Sequence, residues 1–287
     1  MSRPYLPGVT TVIVPAHNEA RVIGRLLGQL VSGARPGELD VIVVANGCTD
    51  DTAQVAAACG PMIRVLSIPV PSKREALLAG DRAARDFPRV YADADVELGT
   101  SDIRALDEAL RRPGILAAGP QRVLVLDGRP WLVRWYYDVW TRLPEVRGGL
   151  FGRGVIGMRA AGHARVAGLP ALLADDLAWS LAFAPDERVI VTGARAVVHA
   201  PRTSGDLLRR RTRAATGVNQ VERADGAPDS TARTRPADLL AMVRREPRMA
   251  PRVVVFMAVA VLARWRASRA TRQRDYSTWL RDESSRR

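Results

Sequence analysis

Four short apolar runs, rich in β-branched residues, punctuate the first third of the chain: 10–15 (TTVIVP), 41–45 (VIVVA), 63–68 (IRVLSI) and 89–92 (RVYA). Between and after them, 19–32, 51–59, 73–86 and 101–111 carry apolar residues at three- and four-residue spacing, the signature of helices with one buried face. Alternation of this kind predicts βαβ units around a mostly parallel sheet, an α/β fold. In such sheets the ligand crevice lies beyond the carboxyl ends of the strands. Three polar clusters should therefore share one rim: Pro15, Ala16, His17, Asn18 and Glu19 after the first run, Asn46 to Asp50 after the second, and Asp93 to Asp95 after the last.

Beyond about residue 112 the alternation weakens. The segment 131–140 (WLVRWYYDVW) holds three of the six Trp and two of the five Tyr, and 147–157 (RGGLFGRGVIG) is rich in glycine. An acidic pair follows in 173–181 (LADDLAWSL), then a strand-like 188–192 and a basic helix candidate at 206–215. Residues 223–236 read as a linker, and 237–287 as a basic helical region with an apolar segment at 250–266. There is no internal repeat.

Length and composition narrow the class. At 287 residues, 47% hydrophobic and 25% charged, the chain can bury one large core or two modest ones. Cys48 and Cys59 make no metal-ligand pair and no disulfide framework, which fits a reducing cytoplasm, and MSRPYLPGVT has no apolar export signal. The formal charge is +13, but residues 201–287 alone hold 20 Arg against 9 acids, so the basic character is local. Lys73 is the single lysine. Arginine-rich, alanine-rich usage of this kind also follows from a GC-rich genome.

Asp93 and Asp95, one residue apart in VYADADVE, would share a face of an extended strand and present four oxygens to one point. Two such charges call for a cation or a proton between them; a strand end running into a solvated turn is the plainer reading. Taken in order, PAHNEARVIGRLL, VVANGCTDDTAQVA, SKREALLAGDRAA, YADAD, LLADDLAWSL and RRRTRAATG resemble family 2 glycosyltransferases of the GT-A fold, over roughly residues 9–217. These enzymes transfer a sugar from a nucleotide donor with inversion. The resemblance implies a GT-A domain over 1–222, with a donor half to about 112 and an acceptor half from 113.

The resemblance also implies roles. Asp95 would ligate Mg2+ or Mn2+ directly, with Asp93 reaching the ribose or a metal-bound water. His199 in VVHAP is similar to a third metal ligand of some relatives, although a lone His is often structural. Pro15, Ala16, Asn18 and Glu19 resemble the donor loop that holds base and ribose, while Asn18 or His17 could equally cap a helix. Asn46 stands at a base-reading position where Asp is more usual, which leaves the nucleotide open, with a UDP-sugar expected. Lys73 could pair with the diphosphate or simply open a solvated helix. Asp50 and Asp51 read as helix caps. Asp175 and Asp176 resemble an acidic pair whose second member, Asp176, is the base for the acceptor hydroxyl; adjacent acids before an apolar run also cap helices. The glycine-rich 148–157 reads as a flexible acceptor loop. Arg210 and Arg213 would clamp the diphosphate, and Ala214 replaces the Trp of processive members, which favours addition of a single sugar.

The acceptor expected is a hydroxyl on a lipid-linked or cell-envelope glycan, or a small soluble molecule. A nucleotidyltransferase usually needs a glycine-rich activating loop near its start, and PAHNEARV has none. A nucleic-acid partner is not expected, because no aromatic residues interleave with the Arg clusters as a stacking platform would require. The run Val253 to Ala263 is too short to span a membrane. With arginines on both sides it suits either a helix at the inner face of the cytoplasmic membrane or a buried or dimeric contact.

Overall fold

The computed structural model describes residues 9–169, 175–223 and 234–272; most of the expected linker and the residues beyond 272 lie outside the described residues. The elements run β1 (Thr10–Ala16), α1 (Ile23–Ser32), β2 (Leu39–Asn46), α2 (Thr52–Ala58), β3 (Ile63–Ile68), α3 (Lys73–Ala83), β4 (Arg89–Ala92) and α4 (Thr100–Leu110). They continue through β5 (Ala117–Val125), α5 (Trp131–Trp140), α6 (Pro144–Gly148), β6 (Val155–Met158), α7 (Ala160–Ala167) and α8 (Asp175–Leu181). The last are β7 (Arg188–His199), α9 (Ser204–Arg223), α10 (Pro236–Arg245) and α11 (Ala250–Arg272). The chain divides into two compact units, one built from 9–123, 153–168 and 183–198, the other from the described parts of 124–152, 169–182 and 199–272.

The first unit is organised by a seven-stranded sheet in the order β3-β2-β1-β4-β6-β5-β7. β3, β2, β1 and β4 are parallel, and β6 enters antiparallel to β4. Val12, Ile13 and Val14 of β1 and Val41 to Val44 of β2 are fully buried. Such unbroken apolar runs are what strands covered on both faces require. α1 buries Ile23, Leu26, Leu27 and Leu30, one stripe at helical spacing. α3 crosses β1 closely, because a Cβ at Gly80 would come within 2.5 Å of Ile13 Cγ2. Ser72 caps α3, its Oγ accepting from Glu75 N, and so sets where Lys73 stands.

Several boundaries differ from the sequence expectation, and β7 and α9 run on to His199 and Arg223, past the expected 188–192 and 206–215. α1 starts at Ile23 rather than near residue 19, because the amides of Glu19 and Ala20 are bonded by Thr52 Oγ1 (2.8 Å) and Asp50 Oδ2 (3.1 Å). The glycine-rich segment is only partly a loop, since Val155–Met158 is a buried strand paired with β4.

In the second unit, Val133, Tyr136, Tyr137, Val139 and Trp140 of α5 pack with Leu207 of α9 and with Val253 and Phe256 of α11. Tyr136 and Phe256 stack at 5.0 Å, and the Arg211 guanidinium lies over the Tyr136 and Trp140 rings. The aromatic segment is therefore core on its inner face. No helix among the described residues is long and apolar enough to cross a membrane.

Candidate active site

At the carboxyl rim of the first unit, the loops after β1 and β2 are laced together. Asn18 adopts φ +52, left-handed backbone that Asn tolerates better than most residues. Its Oδ1 accepts from Thr49 N (2.8 Å), so its side chain ties the two loops and does not cap α1. His17 Nδ1 donates to Asn46 O at 2.6 Å. Asp50 accepts from Ala20 N and from the amide and hydroxyl of Thr52. Burial works against its charge, yet these hydrogen bonds hold the carboxyl below the usual range. Gly47, at φ +56, cannot be replaced without conflict, since a Cβ would lie 2.7 Å from the Pro71 backbone nitrogen.

Asn46 is 2% exposed. Its Nδ2 donates to Ala16 O (2.8 Å) and Val44 O (3.4 Å), which leaves the buried Oδ1 with no hydrogen-bond partner. A buried acceptor without a donor is costly, by about 1–3 kcal/mol, and rare in folded proteins. The side chain is thus fixed as an acceptor. Glu19 is also buried, at 6% exposure, beside the loop that carries Pro15 and Ala16.

β4 ends at Ala92, so Asp93 and Asp95 occupy a turn rather than the strand. They remain on one side of it: Ala94, Val96 and Leu98 are buried while Asp93, Asp95 and Glu97 are half-buried. Lys73, the first residue of α3, places Nζ 2.9 Å from Asp93 Oδ1. The β4–β6 pairing continues one step past the strands, with Asp93 N donating to Gly154 O at 2.8 Å. Gly154 has φ +68, and a Cβ there would come within 2.4 Å of Val96 Cγ1. Sequence reading missed this buttress, whose one visible signal was the glycine itself. It also missed Arg153, 3% exposed, which donates to Pro120 O and whose guanidinium burial pulls down to about 10.

The carboxylates of Asp93 and Asp95 are hard oxygen donors suited to Mg2+ or Mn2+. Among the described residues no three His, Cys, Asp or Glu side chains gather as a cage. Mg2+ commonly takes one or two carboxylates and completes its shell with phosphates and water, so this donor set fits such an ion.

The other expected residues belong to the second unit. Asp175 and Asp176 stand in the first turn of α8, and Asp175 Oδ1 accepts from Asp176 N. Asp176 Oδ2 accepts from Gly152 N (2.7 Å), and one turn later Ser180 Oγ accepts from Leu150 N (2.9 Å). The two acceptors pin the 150–152 backbone to α8. His199 ends β7, and Arg210 of α9 donates to its carbonyl at 3.3 Å. Arg213 follows on the same helix, half-buried.

Comparison with known proteins agrees with this layout. A family model described as glycosyl transferase family 2 matches residues 11–164. An uncharacterized glycosyltransferase of Mycobacterium tuberculosis is 32% identical over 124 residues, which are 43% of this chain and 54% of that protein. The chain thus spans about half the length of the curated relatives it matches. A 4,4'-diaponeurosporenoate glycosyltransferase of Staphylococcus aureus is 43% identical over 53 residues, 18% of this chain and 14% of that protein. Among solved structures, a mannosyltransferase from Pyrobaculum calidifontis in complex with GDP-Man and Mn2+ superposes with a TM-score of 0.62 at 21% identity, covering 96% of this chain and 84% of that one. Glucosyl-3-phosphoglycerate synthase from Mycobacterium tuberculosis, in complex with Mn2+, UDP and glucosyl-3-phosphoglycerate, gives 0.56 at 23% identity, covering 76% and 81%. These likenesses show a GT-A fold. With more than half of its length matched by the family model, the chain belongs to glycosyl transferase family 2.

Proposed function

We propose that this chain transfers a single sugar from a nucleotide-sugar to a hydroxyl of a lipid-linked or cell-envelope glycan, with inversion at the anomeric carbon and with Mg2+ or Mn2+ held at Asp95. The observation that carries the donor assignment is the meeting, on the rim of one parallel sheet, of an acceptor-only Asn46 amide and the Lys73–Asp93 pair. A buried acceptor suits uracil N3–H or guanine N1–H and disfavours bases that present a ring acceptor there. A UDP-sugar is the donor expected first. The complexes of the two structural relatives, one with GDP-Man and one with UDP, support the same pair of bases.

In this reading the Pro15–Ala16 main chain, Asn18 and Glu19 hold the base and ribose, and Asp93 orients the ribose side of the donor. Lys73 offers positive charge to the diphosphate, and the family resemblance assigns the same role to Arg210 and Arg213. A bound divalent cation would neutralise charge developing on the diphosphate leaving group. Transfer is one displacement: the acceptor oxygen bonds to the anomeric carbon, the bond to the diphosphate oxygen breaks with its electrons, and Asp176 takes the hydroxyl proton. The Gly152 amide on Oδ2 fixes how that carboxylate points.

The test is a panel of UDP-, GDP-, ADP- and CDP-sugars with Mn2+, scored by release of nucleoside diphosphate. Turnover of a uracil or guanine donor is expected. A panel with no substrate, or one confined to adenine or cytosine donors, would overturn the donor assignment.

A further inference from the structure

α11 is apolar around its whole circumference over Val253 to Ala263, and only one face is covered. Val253, Phe256, Ala263 and Ala267 are buried on the side facing α5 and α9. Turned the other way are Val254 (66% exposed), Met257 (50%), Val261 (60%), Leu262 (40%) and Trp265 (54%). These five are most of the nine large exposed hydrophobic side chains among the described residues, so the apolar exposure is concentrated on one helix. At about 100° per residue they fill an arc of roughly 140° and a length of roughly 17 Å, one continuous stripe. A helix apolar all round is ordinarily buried all round.

Charge identifies what covers the stripe. α11 contains five Arg and no acidic residue. By helical geometry Arg264 and Arg266 flank the stripe on opposite sides, and both are exposed. Arg269 lies over the Trp265 ring at 4.9 Å, at the end of the stripe. At the other end, Arg244, Arg245 and Arg248 are exposed before the helix begins. A second copy of the same surface would bring arginine against arginine at both ends, a like-charge juxtaposition that costs several kcal/mol. An apolar stripe bordered by arginines, with a Trp at its edge, matches acyl chains beneath anionic headgroups.

We infer that the outer face of α11 docks on an anionic lipid bilayer, lying in the headgroup layer without crossing it. The apolar run of roughly 17 Å falls well short of a hydrocarbon core of about 30 Å. Immersion of one helix face by about 5–10 Å is what the stripe allows. This inference stands apart from the glycosyl-transfer reading, because its readout is lipid binding and not turnover.

The test is flotation of the full chain with vesicles of pure phosphatidylcholine and of equal parts phosphatidylcholine and phosphatidylglycerol, over a salt series. Binding to the anionic vesicles that weakens with salt is expected, with affinity for the neutral ones lower by about tenfold or more. Met257→Asp with Val261→Asp should lower anionic-vesicle binding by about tenfold or more at an unchanged melting temperature. Arg264→Gln with Arg266→Gln, on exposed positions, should remove most of the anionic preference and serves if the first variant fails to fold. A wild-type protein that stays unbound with both vesicles overturns the inference. So does light scattering that shows a dimer split by the Asp variant while vesicle binding is unaffected.

Discussion

Replacing Gly154 by alanine probes whether the glycine-rich backbone holds the Asp93 turn in place. Gly154 has φ +68, and the added Cβ would meet Val96 Cγ1 at 2.4 Å and Asp93 Oδ2 at 3.4 Å. An L side chain in left-handed backbone costs about 1–2 kcal/mol. Forcing a methyl into a packed site adds about 1–3 kcal/mol. Gly114 separates the two costs, since it has φ +81 and nothing within 4 Å of its would-be Cβ, so Gly114→Ala carries the backbone cost alone. For a chain of this size each kcal/mol lowers the melting temperature by about 2–4 °C, which puts Gly114→Ala roughly 5 °C and Gly154→Ala roughly 10 °C below the wild type. Only Gly154→Ala pushes on the turn that carries Asp93 and Asp95. A displacement of about 1 Å there should lower turnover about a hundredfold, while Gly114→Ala stays near wild type. Calorimetry and nucleoside diphosphate release on both variants supply the comparison. If Gly154→Ala melts with Gly114→Ala and keeps its turnover, the buttressing role is wrong.

Other perturbations address single groups. Asp176→Asn should reduce transfer by about 10²–10⁴-fold while leaving nucleoside diphosphate affinity unchanged, and a parallel fall in affinity would remove Asp176 from the role of base. Lys73→Gln breaks an ion pair whose side chains are 31% and 43% exposed, so stability should change by less than about 1 kcal/mol. Its turnover should nevertheless fall about 10–100-fold through the lost charge-assisted bond, and a large stability loss would instead make Lys73 structural. Asp81 is disfavoured by burial, but hydrogen bonds from His163, Tyr91 and Arg89 outweigh it and hold the carboxyl below its ordinary 3.8. A depressed carboxyl contributes stability that is present above its ordinary value and lost as pH falls through the folded one. The melting temperature should therefore drop below about pH 4, less steeply in Asp81→Asn, and identical acid limbs would contradict this.

The polar rim was legible because its strands are covered on both faces and leave unbroken apolar runs, with polar residues clustered where those runs stop. Asn46 and Asp93 stand at such positions, whereas Lys73 was singled out only by the resemblance of SKREALLAG to the family's donor block. Their mutual arrangement could not be read, because the Lys73–Asp93 pair joins two elements 20 residues apart. The start of α1 was misplaced for a similar reason: Asp50 and Thr52, some thirty residues later, accept from the Ala20 and Glu19 amides and tie that stretch into a turn. β6 was hidden in a glycine-rich segment, where the composition of a loop masked a four-residue buried strand. In α11 the sequence shows an apolar run without a polar face, so which side is covered depends on the elements packed against it, chiefly α5 and α9.

The most direct measurement is nucleoside diphosphate release by the wild type and by Asp95→Asn, with Mn2+ and after its removal by a chelator. A neutral amide is a poor ligand for a hard cation, so turnover should fall by about 10²-fold or more both in the variant and on chelation, with the melting temperature of Asp95→Asn unchanged. Release that survives chelation, or an Asp95→Asn enzyme as fast as the wild type, would contradict a metal-dependent transferase centred on Asp95.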